Sequence, residues 1–599
     1  MDERSVYSIY FSKKAQKEAI NFLVGELERN KWKTSFYDGE SRILLIHPTL
    51  EGLYLSAERY FLYKKCNSVP PFQPFNSDIK DQFIHIENGI DFFTAAEQLL
   101  LIKKDLENLR AGDKDSIVPG HPEATLYPGK SILRRFISAE LIGEHYPLHD
   151  REDLDKLRAS WLRNKLNLIN QPLKMLDEYF GVELGLYFSF VETYARALVV
   201  LVLVIFANMV LNLNPMLTSV LVIAWSFGFI LVWRRGEMDR AYKKGILNTV
   251  ERGWEEARPE HFGKLSRNEI TGKQEPHYGT DPFKQKMRII ASYSATALCC
   301  YASYLIMEYY YSWEKYAYAE FGIDSYTAMV PGIIYTIIVI ITSQKYRQFA
   351  RKLTNFENHR TESAFQKNLL AKLLVFEFIN NFLVLYLLAF IYEDLEMLRS
   401  TVITTMTISQ VFVEIFEGVV PFMVYKKRTK NLNKNFSNLC EQATYEANRD
   451  EYEGHFDEYL EIWIQFGYVV LFTSIYEYAP LCALVATIIE IRNDAHKFLN
   501  LFKRPESRIA ESIGFWDDAF SLLAFLAIPT QIGLGKMMGL TTWKKAAIAE
   551  HLVIFLAVFV NRLRPCPAET QKQIDRDEYF RTHRHESHLL KKVQENKHD

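Results

Sequence analysis

Hydrophobicity along this chain falls into two regimes. Residues 1–183 and 566–599 mix apolar and charged positions at short range, as water-soluble segments do. Between them, apolar runs near the ~20 residues that cross a bilayer recur with short polar breaks. They predict ten spans, at 187–212, 214–234, 288–311, 325–346, 369–392, 399–425, 458–478, 480–500, 516–536 and 545–563. The N-terminal part alternates strand and helix signals. Val6–Phe11, Trp32–Tyr37, Arg42–His47 and Phe83–Ile86 read as strands, with Asp38-Gly39 as a turn. Lys14–Arg29, Glu51–Lys64 and Thr94–Arg110 carry a helical apolar period, and the Pro- and Gly-bearing stretch 111–130 reads as a linker.

The fold class is therefore an α-helical polytopic membrane protein with an N-terminal cytosolic α+β domain, ferredoxin-like in its element order. The expected divisions are that domain at 1–150, an amphipathic pre-membrane segment at 151–186, a ten-helix transmembrane domain at 187–566 and a charged cytosolic helix at 567–599. Orientation follows from charge. Basic clusters follow the second span (Arg234-Arg235), the fourth (Lys345, Arg347, Arg351, Lys352), the sixth (Lys426-Lys427-Arg428), the eighth (Lys497, Lys503, Arg504) and the tenth (Arg562, Arg564). Such a bias puts both termini in the cytosol.

Composition removes several function classes. A net charge of −2 creates no global field for nucleic acid. The six cysteines lack the paired spacing of an extracellular scaffold. The first residues, MDERSVYSIYFSKK, have no signal-peptide core, so the first span is expected to target the chain to the membrane. No phosphate loop, catalytic triad or zinc spacing is present, and the chain is not read as an enzyme.

Candidate chemistry lies in three acidic pairs. Glu414 and Glu417 sit late in the sixth run, Glu458 and Glu461 open the seventh, and Glu490 and Asp494 close the eighth. Spacings of three or four put each pair on one helical face, and the orientation puts all three at the cytosolic end. Each pair alone is open to a simpler reading, as helix-end charge meeting the dipole or as pairing with Arg492 or Lys497. Together, several acids packed with no close basic partners would repel one another in a partly dry site. Hard oxygen donors of this kind suit Ca2+. A transport path is read from polar residues within spans four to six: Tyr335 and Thr336; Glu377, Asn380 and Asn381; Thr404 and Thr407. The competing reading of the hydroxyls is interhelical hydrogen bonding. Glu377 is the most informative, because an intramembrane acid marks a pathway or a partner.

Glu458-Tyr459-Leu460-Glu461 with Ile464-Gln465-Phe466-Gly467, and Ile488-Ile489-Glu490-Ile491-Arg492-Asn493-Asp494-Ala495, resemble the paired calcium-binding helices of the anoctamin family. Leu126-Tyr127-Pro128-Gly129-Lys130-Ser131, Pro147-Leu148-His149-Asp150, Glu357-Asn358-His359-Arg360 and Ile513-Gly514-Phe515-Trp516 extend the resemblance over roughly 120–565. It is nearest to the intracellular branch that includes anoctamin ten. The resemblance implies a ten-helix homodimer, with Ca2+ held by Glu417, Glu458, Glu461, Glu490 and Asp494 beside a groove of helices four to six. Val413 stands where the family often has Asn, and Glu414 beside it is kept as a candidate ligand. Leu231 and the acid-free Arg564-Pro565-Cys566-Pro567 imply that the family's accessory calcium site is absent.

Three functions stay open: a calcium-activated phospholipid scramblase, a calcium-activated chloride or nonselective channel, and a non-transporting membrane tether. Glu377 stands where channel-type relatives tend to have Lys, which favours scrambling of membrane phospholipids. The endoplasmic reticulum is favoured over the plasma membrane.

Overall fold

The computed structural model describes the chain apart from residues 1–4, 40, 68, 113–116, 127–130, 163–167, 212–214, 248–257, 259–260, 262–263, 268–273, 278–281, 322–329, 429–435, 437, 453, 540–547, 549–550, 552, 556–557, 559–565 and 596–599. Side chains are also not described at 215, 264–267, 274–277, 282, 318, 333, 336, 408–417 and 584–595. The tenth apolar run and the segment 561–565 thus lie almost wholly outside the described residues.

The N-terminal module is built on a four-stranded antiparallel sheet. Strands β1 (Tyr7–Phe11), β2 (Lys33–Asp38), β3 (Arg42–His47) and β8 (Ile142–Pro147) lie in the order β2-β3-β1-β8, with Tyr7 opposite both Ile46 and Pro147. This is the strand order of a split β-α-β sheet. Helices α1 (Lys17–Arg29), α2 (Leu50–Arg59) and α3 (Ala95–Asn108) cover one face, where Leu44 and Ile46 meet Leu23, Leu27 and Leu53. Thr94 and Glu97 form a capping box that starts α3.

Two expectations are corrected. Phe83–Ile86 is not a strand: Phe83 makes one bridge to Cys66, and His85 then takes a left-handed conformation that turns the chain into a 3-10 segment. The stretch 111–130 is not all linker. After a small hairpin of β4 (Tyr63–Lys65) and β5 (Phe72–Pro74), a second one pairs β6 (Ile117–Val118) with β7 (His121–Thr125). Helix α4 (Ile132–Ser138) then leads into β8.

The run Ile43-Leu44-Leu45-Ile46 is fully buried on both sides, which the alternation of a one-faced sheet does not require. Ile43 and Leu45 face a second cluster with Tyr146, Leu148 and Ala443. Ala443 belongs to α14 (Leu439–Glu446), the short helix that follows the sixth apolar run. A second contact comes from the segment after the eighth run. Lys503 pairs with Glu144 at 2.8 Å, Arg504 donates to the carbonyls of Leu148 and Tyr179, and Glu506 accepts from Tyr7 Oη at 3.0 Å and pairs with Lys103. The module is thus fastened to the chain just beyond two of the three acidic helices.

His149 sits in this junction, 4 % exposed. Its Nδ1 lies 3.0 Å from Tyr179 Oη and its Nε2 3.2 Å from the Phe502 carbonyl. Nε2 therefore carries the proton, and Nδ1 accepts from the tyrosine. Burial, then the nearby Arg449, Arg504 and Arg158, hold its pKa well below the ordinary value; Glu446, also in the junction, accepts from its backbone N–H. The unfolded imidazole protonates near pH 6.5 while the folded one stays neutral, so the folded state loses stability as pH falls below about 6.5. This one group accounts for a slope of about 1.4 kcal/mol per pH unit at most. Thermal unfolding from pH 7.5 to 5.5 is expected to show a shallower slope in His149→Gln than in the natural chain. Equal slopes would remove His149 as the source.

The pre-membrane segment forms α5 (Arg151–Trp161) and α6 (Leu173–Tyr179), and the bundle begins with α7 (Val182–Val210) and α8 (Pro215–Lys243). Then come α9 (Pro282–Phe321), α10 (Val330–Phe356), α11 (Glu362–Phe390), α12 (Leu395–Thr404), α13 (Gln410–Arg428), α15 (Phe456–Phe472), α16 (Ala479–His496) and α17 (Phe515–Met537), with the polar α18 (Ala568–Glu595) at the end. Among the described residues, α7, α8, α9, α11 and α17 are long and apolar enough to cross a membrane. With 40 residues α9 is about 60 Å long, twice the ~30 Å hydrocarbon core. The sixth run is not one helix. A π-helical turn at Thr405–Ser409 separates α12 from α13, a kind of interruption often found at functional sites. Packing forms two groups: α7, α8, α15, α16 and α17 around one apolar core, and α9, α10 and α11 beside it, with α11 touching both.

Candidate functional site

The acidic positions converge at the bundle end nearer the N-terminal module. Glu458 and Glu461 lie in the first turns of α15; Glu490 and Asp494 lie in the last turns of α16, 5 % and 2 % exposed. Asp494 is held from two sides. Tyr187 on α7 donates to its Oδ2 at 2.6 Å, and Lys497 lies 3.2 Å from its Oδ1. The Tyr187 ring stacks on His455, the residue that precedes α15. Glu461 faces Arg347 of α10 at 3.5 Å. Glu458 keeps one buried carboxylate oxygen with no hydrogen-bond partner. The acids therefore do have basic neighbours, Lys497 and Arg347, which corrects the reading that none stood close. Arg492 instead donates to the Trp161 carbonyl.

Helix α13 approaches α16 at Gly418. A Cβ there would lie 2.6 Å from Asn493 Oδ1, so a residue without a side chain is what lets the helices meet. Glu414 and Glu417 ride on α13, but their side chains lie outside those described. Among the described residues no three His, Cys, Asp or Glu side chains are gathered as a metal site. The donor set nonetheless suits a hard cation: carboxylates from two adjoining helices, two of them buried, and an orphaned oxygen on Glu458.

Glu377, Asn380 and Asn381 of the polar path lie on α11, where it packs against α9 and α10. Glu377 is fully buried, accepting from Ser343 Oγ at 2.7 Å and from Asn381 Nδ2 at 2.9 Å. Its other oxygen faces Arg347 Nε at 3.8 Å. The acid is thus paired rather than isolated, which removes the argument from its lone charge against anions. Asn380 accepts from Ser303 Oγ at 2.7 Å and donates to Ser343 Oγ at 2.9 Å and to the Val339 carbonyl at 3.2 Å. Toward the other end of the bundle, Tyr335 and Thr404 line one small cavity of about 20 Å³ with Tyr310, Tyr311 and Glu314. Thr407 is exposed on the π-helical turn and donates to the Ile403 carbonyl, and the Thr336 side chain is not described.

The comparisons with known proteins bear on the whole bundle. The family model described as "Anoctamin: Calcium-activated chloride channel" matches residues 176–577. The chain belongs to the anoctamin family. Anoctamin-10 of Mus musculus is 34 % identical over 526 residues, 84 % of this chain and 78 % of that protein. Anoctamin-10 of Homo sapiens is 34 % identical over 551 residues, covering 89 % and 82 %. Anoctamin-8 of Homo sapiens is more distant, 26 % identical over 359 residues, 58 % of this chain and 28 % of that protein. The anoctamin-10 branch is therefore where this chain sits.

Against that family background, the sequence offered Lys497 as a partner of Asp494, and the two do pair; sequence reasoning missed two side chains that hold the acids, Tyr187 and Arg347. A signal for the last was present. Arg347 and Arg351 are four apart, as are Asp457 and Glu461, and these two stripes face each other, with Arg351 3.6 Å from Asp457.

Proposed function

We propose that this chain is a calcium-activated phospholipid scramblase, not an enzyme, that passes lipid headgroups along α10, α11 and the α12–α13 helix. The carrying observation is a file of polar groups along α10. It runs from Tyr335 beside Thr404, through Thr342 and Ser343 beside Asn380, to Arg347 beside Glu377. From Tyr335 to Arg347 the helical rise covers about 18 Å, more than half of the ~30 Å hydrocarbon core. A headgroup leaving water needs hydrogen-bonding partners along its route, and hydroxyl and amide groups supply them. Acyl tails would stay in the bilayer.

In this reading ten helices cross the membrane, both termini are cytosolic, and the acidic end faces the cytosol, where the basic clusters lie. The protein acts as a homodimer in the endoplasmic reticulum, as its branch of the family suggests. Glu458, Glu461, Glu490 and Asp494, with Glu417 and Glu414 from α13, would hold Ca2+. Bound calcium supplies the divalent charge that offsets repulsion among these carboxylates. The carboxylates draw α13 toward α15 and α16, and the π-helical turn at Thr405–Ser409 is the place where that helix yields. One observation favours a second reading, a calcium-activated anion channel: Arg347 puts a cation at the cytosolic end of the file.

Reconstitution into vesicles, with lipid flip and ion flux measured together across calcium concentrations, separates these readings. Flip that rises with calcium supports the first. Ion flux without flip at any calcium level replaces it with the second, and neither activity leaves the tether. Thr404→Trp is expected to slow flip about tenfold by filling the narrow end of the file, with calcium binding unchanged. Undiminished flip in that variant would place the lipid path elsewhere.

A further inference from the structure

We infer that Arg347 is a competitor for the calcium ligand Glu461 and thereby ties the metal site to the transport path. This rests on the calcium-activated reading above and adds to it the residue that transmits the signal. The geometry is that of one guanidinium among three acids on two helices. Arg347 Nε is 3.8 Å from Glu377 Oε1 on α11; Nη1 is 3.5 Å from Glu461 Oε1 and 3.8 Å from Asp457 Oδ1 on α15. The side chain is only 17 % exposed. Arg351, one turn further on, reaches Asp457 at 3.6 Å. Helix α10 is thus pinned to α15 through charges, and the same guanidinium faces Glu377, the buried acid at the cytosolic end of the polar file.

A planar guanidinium has five donors in fixed directions and can serve several carboxylates at once. Glu461 meets Arg347 through Oε1, and turning its carboxylate toward a cation beside α13 and α16 carries that oxygen away from Arg347 on α10. Binding of the cation and of Arg347 to Glu461 are then mutually exclusive, and by linkage each weakens the other by the same factor. As Glu461 leaves, Arg347 keeps Glu377 and Asp457, so no charge is stranded in the membrane. What changes is the tie between α10 and α15. Loosening it frees α10 to move away from the α12–α13 helix along the path residues Tyr335 and Thr404.

The test uses the full chain in detergent and in vesicles, with calcium itself as the probe. Calcium binding is measured by isothermal titration and by the calcium-dependent rise in melting temperature, and lipid flip in parallel. Arg347→Gln is expected to bind calcium three- to tenfold more tightly than the natural chain and to flip lipid at lower calcium. Arg347→Gln with Glu377→Gln guards against misfolding from a stranded Glu377, and the same tightening is expected there. Glu461→Gln should weaken binding, and adding Arg347→Gln to it should then have no further effect, because the contested ligand is gone. Unchanged or weaker calcium binding in both Arg347 variants overturns the competition. So does a gain that persists undiminished in the Glu461→Gln background. If Glu461→Gln leaves calcium binding at its natural strength, the assignment of Glu461 to the metal site fails, and the competition fails with it.

Discussion

Glu490→Gln is expected to raise the calcium needed for half-maximal lipid flip roughly thirtyfold or more, an effect of about 2 kcal/mol. The substitution keeps the size of the side chain and one carbonyl oxygen but removes a negative charge. Calcium affinity in oxygen-ligand sites is set by ligand charge count and rigidity over several orders of magnitude. Neutralising Glu461 or Asp494 would also remove its ion pair with Arg347 or Lys497. The Glu490 side chain is buried, and losing its charge reduces repulsion with Glu458 and Asp494 in the absence of metal. The variant should therefore unfold at the same or a higher temperature without calcium and gain less from added calcium. Flip curves across calcium concentration and melting curves with and without calcium check both statements. A calcium curve that does not move would remove Glu490 from the ligand set.

The acidic helices were legible from sequence because spacing of three and four residues coincides with the ends of long apolar runs. That places carboxylates on one face at one depth without knowledge of tertiary structure. Lys497, three residues from Asp494, was legible as its partner; Arg347 was not, since it reaches Glu461 across 114 residues and reads from the sequence only as a marker of orientation. The N-terminal sheet was read for its strands β1 to β3, whose apolar residues are unmistakable. Strand β8 was missed because Ile-Gly-Glu-His-Tyr-Pro has little apolar alternation; its pairing with β1 and its contact with Ala443 hold it in place. The strand expected at Phe83–Ile86 has an apolar alternation, but backbone geometry at His85 overrides it. The π-helical turn was hidden too. Thr-Met-Thr-Ile-Ser carries no proline or glycine, and Pro421, the residue of this run that would signal a bend, lies further along the helix. Gly418 proves to matter for the approach to Asn493.

Lys372→Met is expected to cost about 3–5 kcal/mol of stability, the usual result of removing one partner from a buried ion pair. Lys372 and Glu357 are each fully buried, with Nζ 2.6 Å from Oε1. His359 reaches the other oxygen, Oε2, at 2.6 Å, and Lys372 also donates to Thr354 Oγ1. Glu357 and His359 stand at the turn between α10 and α11, within Glu357-Asn358-His359-Arg360, where Asn358 has a positive φ of 57°, and Lys372 reaches Glu357 from α11. The triad fixes how α10 leaves and α11 begins. It therefore sets the register in which Ser343 meets Glu377 and Asn380, the centre of the polar file. Methionine fills the same space but leaves the Glu357 carboxylate without the ammonium group that pairs with it. Pairing it with Glu357→Gln removes the stranded charge, and most of the lost stability is expected to return, since neutral groups of similar shape tolerate such a site. Thermal unfolding in detergent, followed by tryptophan fluorescence for both variants, gives the comparison. If the single variant melts like the natural chain, the ion pair does not hold the turn. If the double variant melts as low as the single one, the contribution lies in packing rather than in charge.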